Sequence, residues 1–483
     1  MVDFLLVAVM VNLQVCLWDF HQEDVMTPSY KLNGPKGNIF CLEFSTTNRY
    51  LYAAGTCEVV YKYDITYLGS SSLPLPSGGG RLPDTLYADN DDSIRAVVGH
   101  ITQDEIFMTA SEDGTIRRYD GRENTRVPRA QNVIQTSNEI TDVKYHPTME
   151  HLFLSSNGAG EVNLFDDRMA FTSSFNKSDD GIVQKYNTKI TKRLATRFCH
   201  PEASSISFDR DGSKFAVSFM QYLPTIYSVS DPDPIAVLSG NNLPDGTPNP
   251  PGKRSYSNVC TMKHGSFGGP GLDVDDMYAA GSDDFRCYVW KIPPVSQLLN
   301  QREIISADDW NATFSVGRNE PRVVPVEIAT PLCRLTGHDS IVNTAVFHPH
   351  LFHIVTSGVE KNIILHSPTP SSPCTQNLQR SPADVRELKP EDEDLDRANY
   401  LTALFGSHPT LLTQSADDRE ERRTISLFDH ILREEGDADV WTRRPWSMPG
   451  SDDDNEQEDE GSSDSASDDS DMDEIAFLPS FLT

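Results

Sequence analysis

Two short strings set an arginine two residues behind an aspartate that itself follows an aromatic residue: Tyr119-Asp120-Gly121-Arg122 and Phe165-Asp166-Asp167-Arg168. Guanidinium is a planar, permanently charged fork of donors. From an exposed position it can form a charge-assisted pair with a carboxylate or carbonyl of another protein. For a single instance, a solvated arginine or an ion pair within the chain explains the pattern as well; repetition weighs against that. A second cluster is His348, His350 and His353 in HPHLFH. These histidines straddle a proline turn between strands, whereas a metal site needs converging ligands with an ordered outer shell. They read as a structural turn, and no metal is expected. No GxSxG, Walker loop, HExxH or kinase motif set occurs. Nothing calls for a catalytic residue, a cofactor or a small-molecule ligand, so the chain reads as a binding protein and not an enzyme.

The elements that must carry the two arginines are repeats. In FMTASEDGTIRRYD (107–120) a β-rich stretch ends in small residues, turns at Asp-Gly, and runs into a second strand closing on aromatic-Asp. Glycine accepts the positive φ of a tight hairpin without Cβ strain. The same grammar recurs at 50–64, 152–166, 277–292 and 354–367. Each unit follows an alternating apolar/polar run, at 38–44, 94–98, 140–146, 258–264 and 341–348, and period-two alternation marks a strand with one buried face.

These units resemble the WD40 family. The aromatic-Asp endings are Trp18-Asp19, Tyr63-Asp64, Tyr119-Asp120 and Phe165-Asp166, with Trp290-Lys291 as a variant and Gly337-His338 as the Gly-His signature. In that family a histidine, a strand Ser or Thr, a turn aspartate and a tryptophan share hydrogen bonds within a blade; Asp113 and Asp283 take the turn position here. Few blades keep all four: Gly34-Pro35 loses the histidine and His366 replaces the tryptophan. Gly99-His100 follows a strand as His146 and His348 do, so it reads as a turn. The resemblance implies an all-β WD40 β-propeller of about seven blades. Six lie near 30–66, 86–122, 131–168, 194–230, 235–292 and 332–367. The first is incomplete, with 12–20 supplying only a last strand and residues 1–20 expected to patch the ring by pairing with the final blade. The two arginines are expected just beyond fourth strands, on one rim.

Several strings, among them GPKGNIFCLEF, AGSDDFRCYVWKIP, GHDSIVNTAVFHPH, TSGVEKNIILHSP and SLFDHILREE, are similar to the DDB1- and CUL4-associated factor family, nearest its factor-five-like members. These are substrate receptors of cullin 4 RING ubiquitin ligases. The resemblance implies an adaptor-binding set of Arg122, Arg168, Asp120, Asp166, Tyr119 and Phe165, in which Arg122 and Arg168 contact the ligase adaptor, itself a propeller protein, and Asp120 and Asp166 support the strand ends. It implies a target protein as the second partner. Here the box aromatic is Tyr or Phe in place of Trp.

Composition bounds the alternatives. A formal net charge of −31 argues against direct nucleic-acid binding, because phosphate backbones reward Lys and Arg. Thirteen acidic residues and no basic ones lie in 451–474, so a histone or chromatin-binding scaffold is the alternative function. Ser451, Ser465 and Ser470 in that stretch suit an acidophilic kinase. Eight cysteines without CxxC spacing suggest a reducing compartment, hence nucleus or cytoplasm. LLVAVMV (5–11) reads as a buried strand and not a signal peptide, and no run is long enough to cross a membrane. The expected organisation is a propeller over 1–370, a linker with short amphipathic helices over 371–440, and a disordered acidic tail over 441–483. Long insertions at 69–84, 241–256 and 293–331 interrupt the repeat, the last as an irregular connection.

Overall fold

The structure is a computed structural model. It describes residues 6–10, 14–19, 25–68, 80–122, 132–171, 181–191, 198–269, 275–314, 321–368, 378–405 and 416–441. The acidic tail, its serines, Cys374 and most of the 69–84 insertion lie outside these.

The repeats form a series of small antiparallel sheets. The first holds Leu6–Met10, Gln14–Trp18 and Tyr30–Leu32. The second holds Ile39–Phe44, Tyr50–Gly55, Val60–Asp64 and Thr85–Tyr87. The third holds Ile94–Gly99, Ile106–Ser111, Thr115–Asp120 and Val133–Gln135. The fourth holds Ile140–Tyr145, Leu152–Asn157, Val162–Asp166 and Ile182–Lys185, with the short α1 (Asp167–Ala170) after its third strand. The fifth holds Ala203–Phe208, Lys214–Phe219, Thr225–Ser228 and Pro234–Leu238. The sixth holds Ser266–Gly268, Met277–Gly281, Cys287–Lys291 and Cys333–Leu335. The seventh holds Val342–Phe347, Ile354–Gly358 and Ile364–His366.

The core sits between sheets, because each four-strand unit is apolar on both faces and cannot bury them alone. Phe107 with Tyr52 joins the second sheet to the third; Phe153 with Met108 joins the third to the fourth. Phe215 with Leu164, Trp290 with Ile226, and Phe347 with Val289 continue the series. Val15 and Leu17 pack on Leu51 and Tyr63 of the second sheet, while Cys16 and Trp18, on the other face of the same strand, meet Ile363 beside the seventh. The stacked sheets thereby close on themselves as an all-β propeller, which leaves few free edges.

Several expectations change. Gln14–Trp18 is the middle strand of its sheet, not a last strand, and no backbone ladder links it to the seventh sheet among the described residues. The aromatic-Asp pair closes the third strand of a sheet, not the fourth. The outer strand comes from the next stretch of chain: Thr85–Tyr87 completes the second sheet and Pro234–Leu238 the fifth. The repeat grammar could not show this, because outer strands of three to five residues have too few residues to display a period. Residues 258–264 form a loop, and the sixth sheet begins at Ser266.

The 293–331 insertion is also not irregular. It contains α2 (Val295–Gln301), α3 (Ala307–Phe314), a hairpin of Glu303–Ile305 with Arg322–Val324, and Val326–Ile328, which adds in parallel to the edge of the fifth sheet. The Arg322 guanidinium lies 3.3 Å over the Trp310 ring and donates to Thr191, tying the insertion to the disk. After the sheets come α4 (Glu393–Phe405) and α5 (Ala416–Glu435). No helix among the described residues is long and apolar enough to cross a membrane.

Candidate functional site

The arginine pair sits at the ends of adjacent third strands. At Asp120 one carboxylate oxygen accepts the Arg122 amide (3.0 Å) and Nε (2.8 Å), while the other accepts Nη2 (2.6 Å). Asp166 does the same with Arg168, at 3.0, 3.0 and 2.6 Å. In each case the aspartate stops the strand by capping the amide two residues on, and the resulting turn returns the guanidinium to its own carboxylate. These bonds hold both carboxyls below the usual range. Both arginines remain well exposed, with side chains 59 % and 64 % accessible. The result is a pair of pre-oriented guanidinium groups whose rotamer freedom is already spent, which lowers the ordering cost of binding a partner.

The aromatics do a different job. Phe165 is buried and stacks on Phe153 at 5.1 Å; Tyr119 stacks on Phe107 at 4.8 Å, and its hydroxyl accepts from Asn90. Phe165 packs in the core between sheets, and half-buried Tyr119 packs against Phe107 and Tyr87.

A third guanidinium shares this rim, and the repeat pattern did not reveal it. Asp64 ends the third strand of the second sheet and caps Thr66, but residue 66 is not an arginine. Arg49, in the turn between the first and second strands, supplies the cation instead: Nε and Nη2 each lie 3.4 Å from Asp64 Oδ2. Burial opposes ionisation of Asp64, yet hydrogen bonds from Thr66 and the nearby Arg49 outweigh it and hold its carboxyl low. The partner comes from fifteen residues upstream, so no fixed short spacing could have found it.

Contacts run along this rim from sheet to sheet. Thr47 donates to Asp104 at 2.8 Å, and Glu105 accepts from Tyr50 (2.7 Å) and pairs with Lys62 (2.5 Å). Arg122 reaches Gln103 at 3.2 Å, Thr102 donates to Glu150 at 3.1 Å, and His151 meets Asp167 at 3.2 Å. Met149 and Met169 are exposed.

The repeat-signature residues are structural. Gly337 (φ +125°) leads into buried His338, whose Nδ1 meets Glu360 and whose Nε2 lies 2.7 Å from Thr356 Oγ1; that hydroxyl is 2.9 Å from His366 Nε2. The four-member set is thus complete, with Glu360 in the turn aspartate's place and His366 in the tryptophan's. Burial, with His338 alongside, pushes His366 down to about 4. Asp283 is fully buried, accepts the Val259 and Cys260 amides and pairs with Lys263 at 2.6 Å. Asp113 caps Thr115 and accepts the Asp91 amide. Trp290 donates to the Ser239 carbonyl at 2.8 Å, and Trp18 is buried while the Asp19 amide donates to Ser29.

His100, His146 and His348 are equivalent turn caps: Nδ1 of each accepts the amide of the residue two positions on. That is the structural role expected of HPHLFH. Among the described residues no three His, Cys, Asp or Glu side chains converge as a metal site.

On the opposite face, where the second-to-third-strand hairpins lie, α5 docks through Ile431 and Leu432 onto Val259, Phe285 and Ile341. Arg386 locks it there, forking onto Asp429 at 2.7 and 2.7 Å and donating to the Asp339 carbonyl. Asp396 of α4 accepts from Ser426 and pairs with Arg433 of α5.

Comparison with known proteins agrees with this architecture. The family described as "WD domain, G-beta repeat" matches residues 329–367, the stretch holding Gly337-His338 and the seventh sheet. The DDB1- and CUL4-associated factor 5 proteins of Mus musculus and Homo sapiens are each 25 % identical to this chain over 429 residues, covering 87 % of it. The match spans 37 % of each relative's length. The chain therefore carries a WD40-type repeat over 329–367 and is similar, over 87 % of its length, to DDB1- and CUL4-associated factor 5.

Proposed function

We propose that this chain is a non-catalytic substrate receptor of a cullin 4 RING ubiquitin ligase. Its Arg122/Arg168 rim would dock the ligase adaptor and another surface would present a target protein. The first sheet counts as a blade in this reading, which makes seven. The observation that carries the proposal is the pair of identical, exposed, carboxylate-oriented guanidinium groups on consecutive sheets, in a chain similar to proteins whose name associates them with DDB1 and CUL4. Oriented forks of this kind suit carboxylates and carbonyls on a partner surface. Proximity is then the mechanism: holding a target beside the ligase raises the effective concentration of its lysines at the conjugating enzyme. The test is co-purification of the full chain with DDB1. The Arg122→Ala, Arg168→Ala double variant should lose most adaptor binding while keeping its fold, and full retention would overturn the assignment.

A further inference from the structure

We propose that Arg49, clamped to Asp64, is a third docking arginine, so that the adaptor footprint covers the second, third and fourth sheets; this rests on the adaptor-binding reading above. Three observations carry it. First, Asp64 occupies the place of Asp120 and Asp166: each ends a third strand, and each caps the amide two residues later. Second, a guanidinium is delivered to all three carboxylates, at Asp64 from the neighbouring turn. The Arg49 side chain is 50 % exposed, comparable with the other two. It also lies 4.8 Å over the Tyr50 ring, a second restraint on its position. Third, the rim between them is continuous, from Thr47–Asp104 through Glu105 and Gln103 to Arg122.

The opposite direction along the rim lacks the device. The third strand of the fifth sheet ends at Tyr227-Ser228, with no aspartate there. The nearby Asp231 is held by Arg302, whose side chain is only 10 % exposed. Exposed Arg210 on that side pairs with Asp275, which lies just before Met277–Gly281 and outside the strands of the sixth sheet. The asymmetry points the footprint toward the second sheet. The partner surface suited to it carries carboxylates or exposed carbonyls spaced across three blades, because each guanidinium is oriented by its own aspartate while half or more of its side chain stays exposed.

The test measures the affinity of the purified full chain for purified DDB1 by biolayer interferometry. Arg49→Ala should weaken binding about three- to tenfold, and Arg49→Glu more, by setting a carboxylate against carboxylates. Binding of Arg49→Ala should also depend less steeply on salt than that of the wild type. Arg210→Ala should bind as wild type. Melting temperatures of all variants are read in parallel, so that a lost fold is not mistaken for a lost contact. If Arg49→Ala and Arg49→Glu bind as wild type while the Arg122/Arg168 double variant fails, the third clamp is overturned and the receptor reading stands. If the double variant also binds as wild type, both fall.

Discussion

The arginine rim and the helix-capped face use the same ion-pair chemistry at different depths. On the rim, Arg122 and Arg168 are bound to carboxylates yet largely open to water. On the opposite face, Lys263 and Asp283 are both fully buried, and Arg386 forks onto a nearly buried Asp429. An exposed pair contributes little to stability, because water screens it and competes for both partners. A buried pair contributes little net either, but it cannot be broken cheaply, since the surviving charge is stranded. In the proposed reading the difference separates the roles: the rim ion pairs would orient donors for a partner, and the pairs of the other face hold the disk and its helices.

The largest expected effect is at Lys263. Lys263→Met leaves the Asp283 carboxylate buried without its cation and should cost about 3–5 kcal/mol in urea unfolding. A loss under about 1 kcal/mol would erase the contrast with the rim. Next is the pH dependence of the His338–Thr356–His366 set. The folded chain keeps His366 neutral down to about 4, whereas an unfolded histidine takes its proton near 6.5. Between those values only the unfolded chain is protonated, so stability falls as pH drops from about 6.5 to about 4, by at most about 3 kcal/mol. Replacing the titrating ring by His366→Phe should flatten that part of the wild-type stability–pH curve; an unchanged slope would place the titration elsewhere. Arg386→Ala is expected to cost about 1–2 kcal/mol and to speed amide exchange in 425–435 while the inner strands stay protected. Exchange rising everywhere would mean that α5 is integral to the disk. The smallest effect belongs to the rim: Arg122→Ala and Arg168→Ala should each leave the urea midpoint essentially unchanged, so any loss of adaptor binding reads as contact and not fold.

The strongest repeats were legible because their signals are local. FMTASEDGTIRRYD shows a hairpin outright: alternation on both sides and a glycine at Gly114 with φ +78°. The α5 stripe was legible for the same reason, with Ile431 and Leu432 one turn beyond Phe428. The outer strands were not, since three residues such as Val133–Gln135 carry no period and are recruited by the edge they meet. The folded insertion was missed because its strands are equally short and its anchor, Arg322 on Trp310, joins side chains twelve residues apart.

What the sequence determined by itself is the repeat, the two Asp-x-Arg endings and the absence of catalytic motifs, all written in residue types at fixed short spacings. Tertiary structure decided the rest. It showed that Phe165 is buried and Tyr119 stacks on Phe107, that His366 and Glu360 can complete a hydrogen-bonded set normally built from other residues, and that Arg49 reaches Asp64. The reason is geometric: spacing along a strand fixes which residues share an end, but a side chain's partner across a turn or a sheet boundary is fixed only when the sheets pack.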